Sequence, residues 1–418
     1  MSSDSRTDVL VVGAGPTGLV AALQLSQAGL AVEVIDEEWR PAGHSYALAL
    51  HPRSLALLDR LGLAAEAVRV GRRLEAVDVY EGARLEATLR PEGPEGFRFL
   101  LALPQSALED LLARRLADRG IRVRWNHRLA GLEEGGDGVV AKVHRLEKES
   151  TGYAVAHTEW VIDKELALRA AFVVGADGHR SLVRRALGTP FEEVARSQVF
   201  AVVECGGAAG DKMRLVLDEA TVSALWPLPD GRSRWSFELD APEVSAEDRF
   251  KSRLTTRMGE RHFPHLDEAR ARELVRRRAP WFEKDMGELG WSAEVRFERR
   301  LASSFGRGRV WLAGDAAHLT GPAGMQSMNA GLDEASDLAS RLRGVLRGGE
   351  SAATLESYGG ERRAAWEFQL GRRGGLRPDG RTPPFVAANA ARLLPCLPAT
   401  GEDLAALAGH LGLAVDRG

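Results

Sequence analysis

The run Asp8-Val9-Leu10-Val11-Val12-Gly13-Ala14-Gly15-Pro16-Thr17-Gly18 continues through a helical stretch to Ala28, a turn at Gly29 and the segment Ala31-Val32-Glu33-Val34-Ile35-Asp36. The apolar residues before Gly13 make a run short enough for a buried strand, and Leu19, Ala22, Leu23 and Leu25 recur at helical spacing. The stretch therefore predicts strand, turn, helix, strand. Gly13 permits a tight turn, Gly15 lets backbone approach a pyrophosphate, and Gly18 lets the helix sit close on the strand. Pro16 and Thr17 then open a helix whose free N–H groups point at phosphate. Asp36, at the end of the second strand, is placed to accept hydrogen bonds from a ribose diol. A glycine-rich turn alone also serves plain strand–helix packing. Here strand, helix and terminal acid fall together, so the unit is expected to hold a dinucleotide.

The rest of the composition narrows the class. A chain of 418 residues with 44% hydrophobic and 28% charged residues is ordinary for a globular protein and has material for two interlocked domains. A formal net charge of -3 gives no electrostatic reason to expect nucleic acid or an anionic membrane as partner. The basic run Arg276-Arg277-Arg278 reads as a solvated helix face. Two cysteines, Cys205 and Cys396, argue against a disulfide framework and a cysteine-ligated metal; no metal site is expected, and a reducing cytoplasm fits. The start Met1 to Arg6 shows no basic or apolar leader pattern, and no apolar run reaches the length of a membrane span.

Outward from the first unit, Leu55, Leu57, Leu58 and Leu61 after Pro52 predict an amphipathic helix. From Leu74 to Leu103 short alternating runs predict an antiparallel sheet, a first excursion out of the α/β pattern. Pro104-Gln105-Ser106 opens a helix ending at Gly120, and Ile121 to Trp125 reads as a returning strand. Leu129 to Ala167 reads as a meander with strands at Val139 to Val143 and Tyr153 to Ile162. Ala171-Phe172-Val173-Val174-Gly175-Ala176-Asp177-Gly178 is then a separate buried strand running into a turn. A second, larger excursion spans Gln198 to Phe297, with a turn at Trp226 to Gly231 and helices near Asp248 to Met258 and Glu268 to Arg278. The chain returns at Val310-Trp311-Leu312-Ala313-Gly314-Asp315-Ala316-Ala317-His318, with a loop from Leu319 to Gly324 and a long helix from about Gln326 to Arg343. Helices around Ser351 to Leu370 and Gly401 to Leu411 flank a Pro-rich crossing from Arg377 to Pro398.

Three strand-to-turn elements, at Gly13 to Gly18, Gly175 to Gly178 and Gly314 to Asp315, could converge at the carboxyl ends of neighbouring parallel strands. With Ser181-Leu182-Val183-Arg184 after the second and Asn329 after the third, they resemble, in order and over nearly the whole chain, the flavoprotein monooxygenases of the p-hydroxybenzoate hydroxylase type. The resemblance implies an α/β protein: a Rossmann-like FAD-binding domain (residues 1-73, 104-190 and 300-345) interleaved with an antiparallel-sheet substrate domain (74-103 and 191-299), plus a C-terminal helical segment (346-418).

It also implies FAD, with Asp36 on the adenosine ribose, Gln105 near the ribityl chain, Asp315 on the ribityl hydroxyls and Asp177 shared between flavin and nicotinamide handling. Arg53 and Gly324 join this cofactor set. Pro322 packs at the reactive edge of the isoalloxazine, and Met328 and Asn329 offer backbone N–H groups to its pyrimidine edge, where a helix's positive end favours the anionic reduced ring. The implied reaction uses NADH or NADPH as transient donor and O2 to hydroxylate an aromatic or polyketide-like small molecule through a flavin C4a-hydroperoxide. Tyr46 stands where relatives often carry an arginine, so NADH is expected to serve at least as well as NADPH.

Simpler readings stand beside these. Asp177 also suits a helix cap, His318 a packed structural histidine, and Trp226 either a substrate wall or core. Met325 and Met328 suit core packing as well as a pocket wall. A flavin halogenase is excluded by the lack of its Trp-x-Trp-x-Ile-Pro segment. A reductase of the isoprenoid-saturating kind, or a flavoprotein that only sequesters an intermediate, would share the fold. No oligomeric state and no substrate-binding base is assigned.

Overall fold

A computed structural model describes residues 6–39, 47–151, 157–207, 210–218, 220–240, 255–258, 261–264 and 266–418. The opening stretch forms the strand Thr7–Val12, the helix Pro16–Gln27 and the strand Val32–Ile35. Val9, Leu10 and Val11 are fully buried, as the continuous apolar run of a parallel strand covered on both faces requires. Side by side and all parallel lie Val310–Leu312, the carboxyl half of His157–Gly175, Thr7–Val12 and Val32–Ile35. The three turns therefore leave from one edge of one sheet.

The strand His157–Gly175 runs for 19 residues, where two separate strands are expected. Its outer part pairs antiparallel with Val139–Thr151, with a bulge between Ile162 and Lys164. Leu166 and Leu168 alternate with Glu165 and Arg169 and pack on the core, so the pleat carries through the intervening stretch. The expected strand at Ile121 to Trp125 reduces to one bridge, Arg124 beside Ile35. Asn126, at φ 60°, turns the chain away directly after it.

The second sheet has eight strands in the order His318–Leu319, Leu289–Ala302, Phe191–Gly206, Arg232–Leu239, Val222–Pro227, Lys212–Leu217, Ala76–Glu81 and Arg84–Leu89. Both excursions thus build the same sheet. Its pairs are antiparallel except that Lys212–Leu217 lies parallel to Ala76–Glu81, because these strands come from different excursions and no hairpin joins them. The run near Leu100 leaves this sheet: Leu100–Ala102 pairs with Ala49–Leu50 and Arg72–Leu74 in a small sheet of three. Alternation along Val222–Pro227 sends Trp226 to the face shared with Val79, Met213, Ala323 and Met325, and Leu225 to the face covered by the helix Glu268–Arg278.

The helices Gln326–Arg347, Ala353–Gln369 and Gly401–Gly409 form as expected. The Pro-rich crossing contains a further helix, Pro384–Leu393, which starts on Pro384 where a missing N–H costs nothing. In the region expected to be helical near Asp248, the described part Thr255–Met258 is a strand paired with Arg261–Pro264; β-branched Thr255 and Thr256 favour the extended form. No helix among the described residues is long and apolar enough to cross a membrane.

Candidate functional site

At the first turn, Gly13 has φ 105°, and a Cβ there would lie 2.2 Å from the Ala176 carbonyl oxygen and 2.8 Å from the Asp177 nitrogen. The first and second motifs abut at this point. A Cβ at Gly18 would lie 2.0 Å from the Gly13 oxygen, so the helix closes directly on the turn. Gly15 differs: a Cβ there would meet nothing within 4 Å, and the helix start beside it has no side-chain cap. An accessible, uncapped helix start behind a glycine fits the pyrophosphate of FAD. Asp36 comes to the same mouth, with Oδ2 accepting the Ala14 N–H at 2.6 Å and Oδ1 accepting the Glu38 N–H at 2.8 Å. Burial pushes its carboxyl above the ordinary value, those N–H groups pull it back, and the charge of Asp177 adds to the rise.

Asp177 accepts hydrogen bonds from Ser181 Oγ at 2.5 Å, the Leu182 N–H at 2.7 Å and the Val183 N–H at 3.0 Å. As placed it caps the helix Leu182–Ala186, which is the simpler of its two readings. Arg184, on that helix, donates to the carbonyls of Ala316 (2.6 Å) and His179 (3.0 Å) with its guanidinium 3.8 Å above the Phe191 ring. It fastens the second turn to the third.

At the third turn Gly314 has φ 66°, and Cβ atoms at Gly314 and Gly331 would each lie 2.7 Å from Thr17 Oγ1. The fingerprint helix, the third turn and the long helix therefore meet around the Thr17 side chain, with no room for a side chain at either glycine. Asp315 is exposed beside this junction, its Oδ1 accepting Ser327 Oγ at 2.6 Å. Behind it, buried Glu334 accepts from the Gly314 N–H (2.8 Å), His318 Nε2 (2.9 Å) and Trp366 Nε1 (2.7 Å). Burial raises the Glu334 carboxyl, but His318 and these hydrogen bonds outweigh it and hold the group below its ordinary value. His318 also stacks on Trp366 with ring centres 3.7 Å apart, which makes it a packed structural histidine.

The long helix begins at Met325, a non-glycine residue at φ 52°, after a buried Pro322, Ala323 and Gly324. No side chain caps it, and the N–H groups of Gln326, Ser327 and Met328 lack intrahelical acceptors, as in any first turn. The side chain of Asn329 turns inward: Nδ2 donates to the Ala49 oxygen (2.9 Å) and the Met325 oxygen (2.7 Å), and Oδ1 accepts the His51 N–H (2.7 Å). Gln105 opens the helix Gln105–Asp118, with its N–H on the Ala47 carbonyl at 3.2 Å and its side chain on Glu109 at 2.6 Å. A Cβ at Gly324 would lie 2.8 Å from the carbonyl oxygens of both Pro395 and Leu397, and Gln326 Nε2 donates to those of Leu394 and Leu397, so the C-terminal segment packs over this loop.

Arg53, expected in the cofactor set, has its guanidinium paired with Glu402 (2.7 Å) and Asp403 (3.0 Å) at the start of the helix Gly401–Gly409. Tyr46 lies outside the described residues. Four groups escaped the sequence reading: His51, Glu334, Gln326 and the staple made by Arg184. Each has a partner that is remote in sequence, and no local spacing signals that contact.

His51 is 1% exposed, and its Nε2 lies 2.9 Å from the Gly324 carbonyl oxygen. Burial lowers its pKa from 6.5 to about 4, against the upward pull of that carbonyl. The unfolded chain therefore takes up the proton first on acidification. The stabilising contribution is complete above the unfolded value and falls as pH drops from there toward the folded one. Between pH 7 and pH 5 the loss is about 2 kcal/mol. Denaturant unfolding at both pH values should show this extra slope in the wild type and not in His51→Gln; equal slopes would contradict it.

A family model described as FAD binding domain matches residues 6–369. The chain belongs to this family of flavoprotein monooxygenases. The flavoprotein is 31% identical over 360 residues to 6-methylpretetramide 4-monooxygenase of Streptomyces rimosus, a match covering 85% of this chain and 58% of that one. It is also 31% identical over 364 residues to the rifampicin monooxygenase of Streptomyces venezuelae, covering 85% and 68%. Among solved structures, the ternary complex of aklavinone-11 hydroxylase with FAD and aklavinone superposes with a TM-score of 0.66 at 27% identity, covering 87% of this chain and 67% of that one. The flavoprotein thus spans somewhat more than half to about two thirds of these proteins.

Proposed function

We propose that this flavoprotein is an FAD-dependent monooxygenase that takes two electrons from NADH or NADPH and hydroxylates an aromatic or polyketide-like phenol. In the balanced reaction, acceptor, O2, NAD(P)H and a proton give hydroxylated acceptor, NAD(P)+ and water. The observation that carries this reading is the convergence of three motif turns on one sheet edge, beside a loop whose Ala323 and Met325 share an apolar cluster with Trp226 of the second sheet. The relatives named above support the acceptor class.

Bound FAD supplies the two-electron store and the activation of oxygen. The chain's own groups orient it and exclude water. Gly15 and the helix start behind it receive the pyrophosphate, Asp36 the adenosine ribose, and Asp315 and Gln105 the ribityl chain. The free N–H groups of the helix's first turn, that of Met328 among them, would serve the pyrimidine edge, where the helix's positive end would favour negative charge. Pro322 and Met325 close the reacting edge against the substrate sheet. The Trp226 indole is fully buried in that cluster, and its N–H has no hydrogen-bond partner among the described residues.

The sequence holds one dinucleotide fingerprint, which FAD would occupy, so the nicotinamide donor would dock transiently. Its access depends on the acceptor shifting the flavin site toward a reducible arrangement. Anaerobic stopped flow with NADH should show slow reduction alone and a rate higher by about tenfold or more with a phenolic acceptor present, a barrier change of about 1.4 kcal/mol or more. Rapid reduction indifferent to any acceptor would sink this reading.

A further inference from the structure

We propose that His51 is a positioning residue for the flavin: its ring fixes the carbonyl of Gly324 and so sets the first turn of Gln326–Arg347 against the cofactor's pyrimidine edge. The proposal rests on the flavin reading given above. His51 sits between the strand Ala49–Leu50 and the helix Pro52–Arg60, almost wholly buried. A carbonyl can only accept, so Nε2 carries the hydrogen in the 2.9 Å contact with Gly324, and Nδ1 keeps a lone pair. That Nδ1 is buried and has no hydrogen-bond partner among the described residues. An orphaned acceptor is unfavourable in a core, and an apolar side chain would avoid it; the histidine is explained by what its N–H holds.

What it holds is a strained turn. Met325 adopts the left-handed conformation that side-chain-bearing residues seldom occupy, and the bond from its N–H to the Pro322 carbonyl is long at 3.4 Å. Such a residue persists where its surroundings over-determine it. Here the frame consists of His51 Nε2 on Gly324, the His51 N–H on Asn329 Oδ1, and Asn329 Nδ2 on both Ala49 and Met325. His51 and Asn329, bonded to each other, therefore hold two successive carbonyls of the turn, those of Gly324 and Met325. Electrostatic influence of a helix terminus fades within one turn, so a small displacement of Gln326 to Met328 alters how well negative charge on the reduced ring is balanced.

Two neutral variants separate positioning from packing. The amide of His51→Gln reaches as far as Nε2 and can keep the Gly324 bond; that of His51→Asn stops near the Nδ1 position and cannot. In the holoenzyme, H51N should bind reduced FAD about tenfold less tightly relative to oxidised FAD, a midpoint about 30 mV more negative for a two-electron couple. H51Q should stay within about twofold of wild type. In the apoprotein, the amides of Gln326 to Met328 should exchange with solvent faster in H51N than in H51Q. Equal midpoints in wild type, H51N and H51Q, all holding FAD, would overturn the proposal alone. A wild-type protein with no affinity for FAD would overturn the flavin reading and the proposal with it.

Discussion

Gly13→Ala should emerge from purification colourless, having lost FAD, and should be less stable than wild type by about 2 to 5 kcal/mol. That range adds left-handed strain of roughly 1 to 2 kcal/mol to overpacking of roughly 1 to 3 kcal/mol. The added Cβ would stand 2.2 Å from the Ala176 carbonyl oxygen, a distance at which backbone must move. The segments that would give way are the two turns proposed to flank the dinucleotide, so stability and cofactor retention should fail together. Gly15→Ala is the informative control: its Cβ meets no protein atom within 4 Å, so it should fold normally while binding FAD less tightly. Absorbance at the flavin band and denaturant unfolding measure both effects. A yellow, wild-type-stable Gly13→Ala protein would remove the first turn from the cofactor site.

Glu334→Gln should destabilise the protein by about 3 to 5 kcal/mol, the usual result of removing one member of a buried, hydrogen-bonded pair. Its Oε2 accepts from both Gly314 and His318 while Oε1 accepts from Trp366. An amide can satisfy the indole with its oxygen, but its NH2 then faces the Gly314 N–H, and His318 must change tautomer to accept from it. The damage is centred on Gly314, the residue before Asp315, so FAD affinity should drop alongside the unfolding midpoint. Chemical denaturation of the apoprotein and FAD titration test the two parts. A variant within about 0.5 kcal/mol of wild type, the range of an ordinary surface substitution, would mean that the Glu334 hub is not stabilising.

The parts of the fold legible in sequence are those encoded by local chemistry. Gly13, Gly15, Gly18 and Asp36 announce their unit because turn, helix start and terminal acid must follow one another at fixed spacing. Most of the eight-stranded sheet was legible as strands but not as an order, and its edge strand His318–Leu319 read as turn and loop. Nothing within Ala76–Glu81 says that its neighbour is Lys212–Leu217 or that the pair runs parallel. The same holds for side chains whose partners arrive from afar: Arg53 with Glu402 and Asp403, His318 with Glu334, His51 with Gly324. His318 was readable as a packed residue, whereas its acidic partner emerges only once the long helix is laid across the third turn. Asp177 was readable as a cap or a cofactor ligand, and its three hydrogen bonds to Ser181, Leu182 and Val183 give it the first of these roles in the protein alone.

Oxygen transfer is the step on which the functional account depends. Turnover of the FAD-loaded protein under 18O2, with NADH and a phenolic acceptor, followed by mass analysis of the acceptor, measures that step directly. The account predicts product carrying one atom of 18O, with NADH consumption tracking product formation. NADH consumption that yields only labelled hydrogen peroxide with every acceptor of the aromatic and polyketide class, or an acceptor returned reduced and unlabelled, would contradict it.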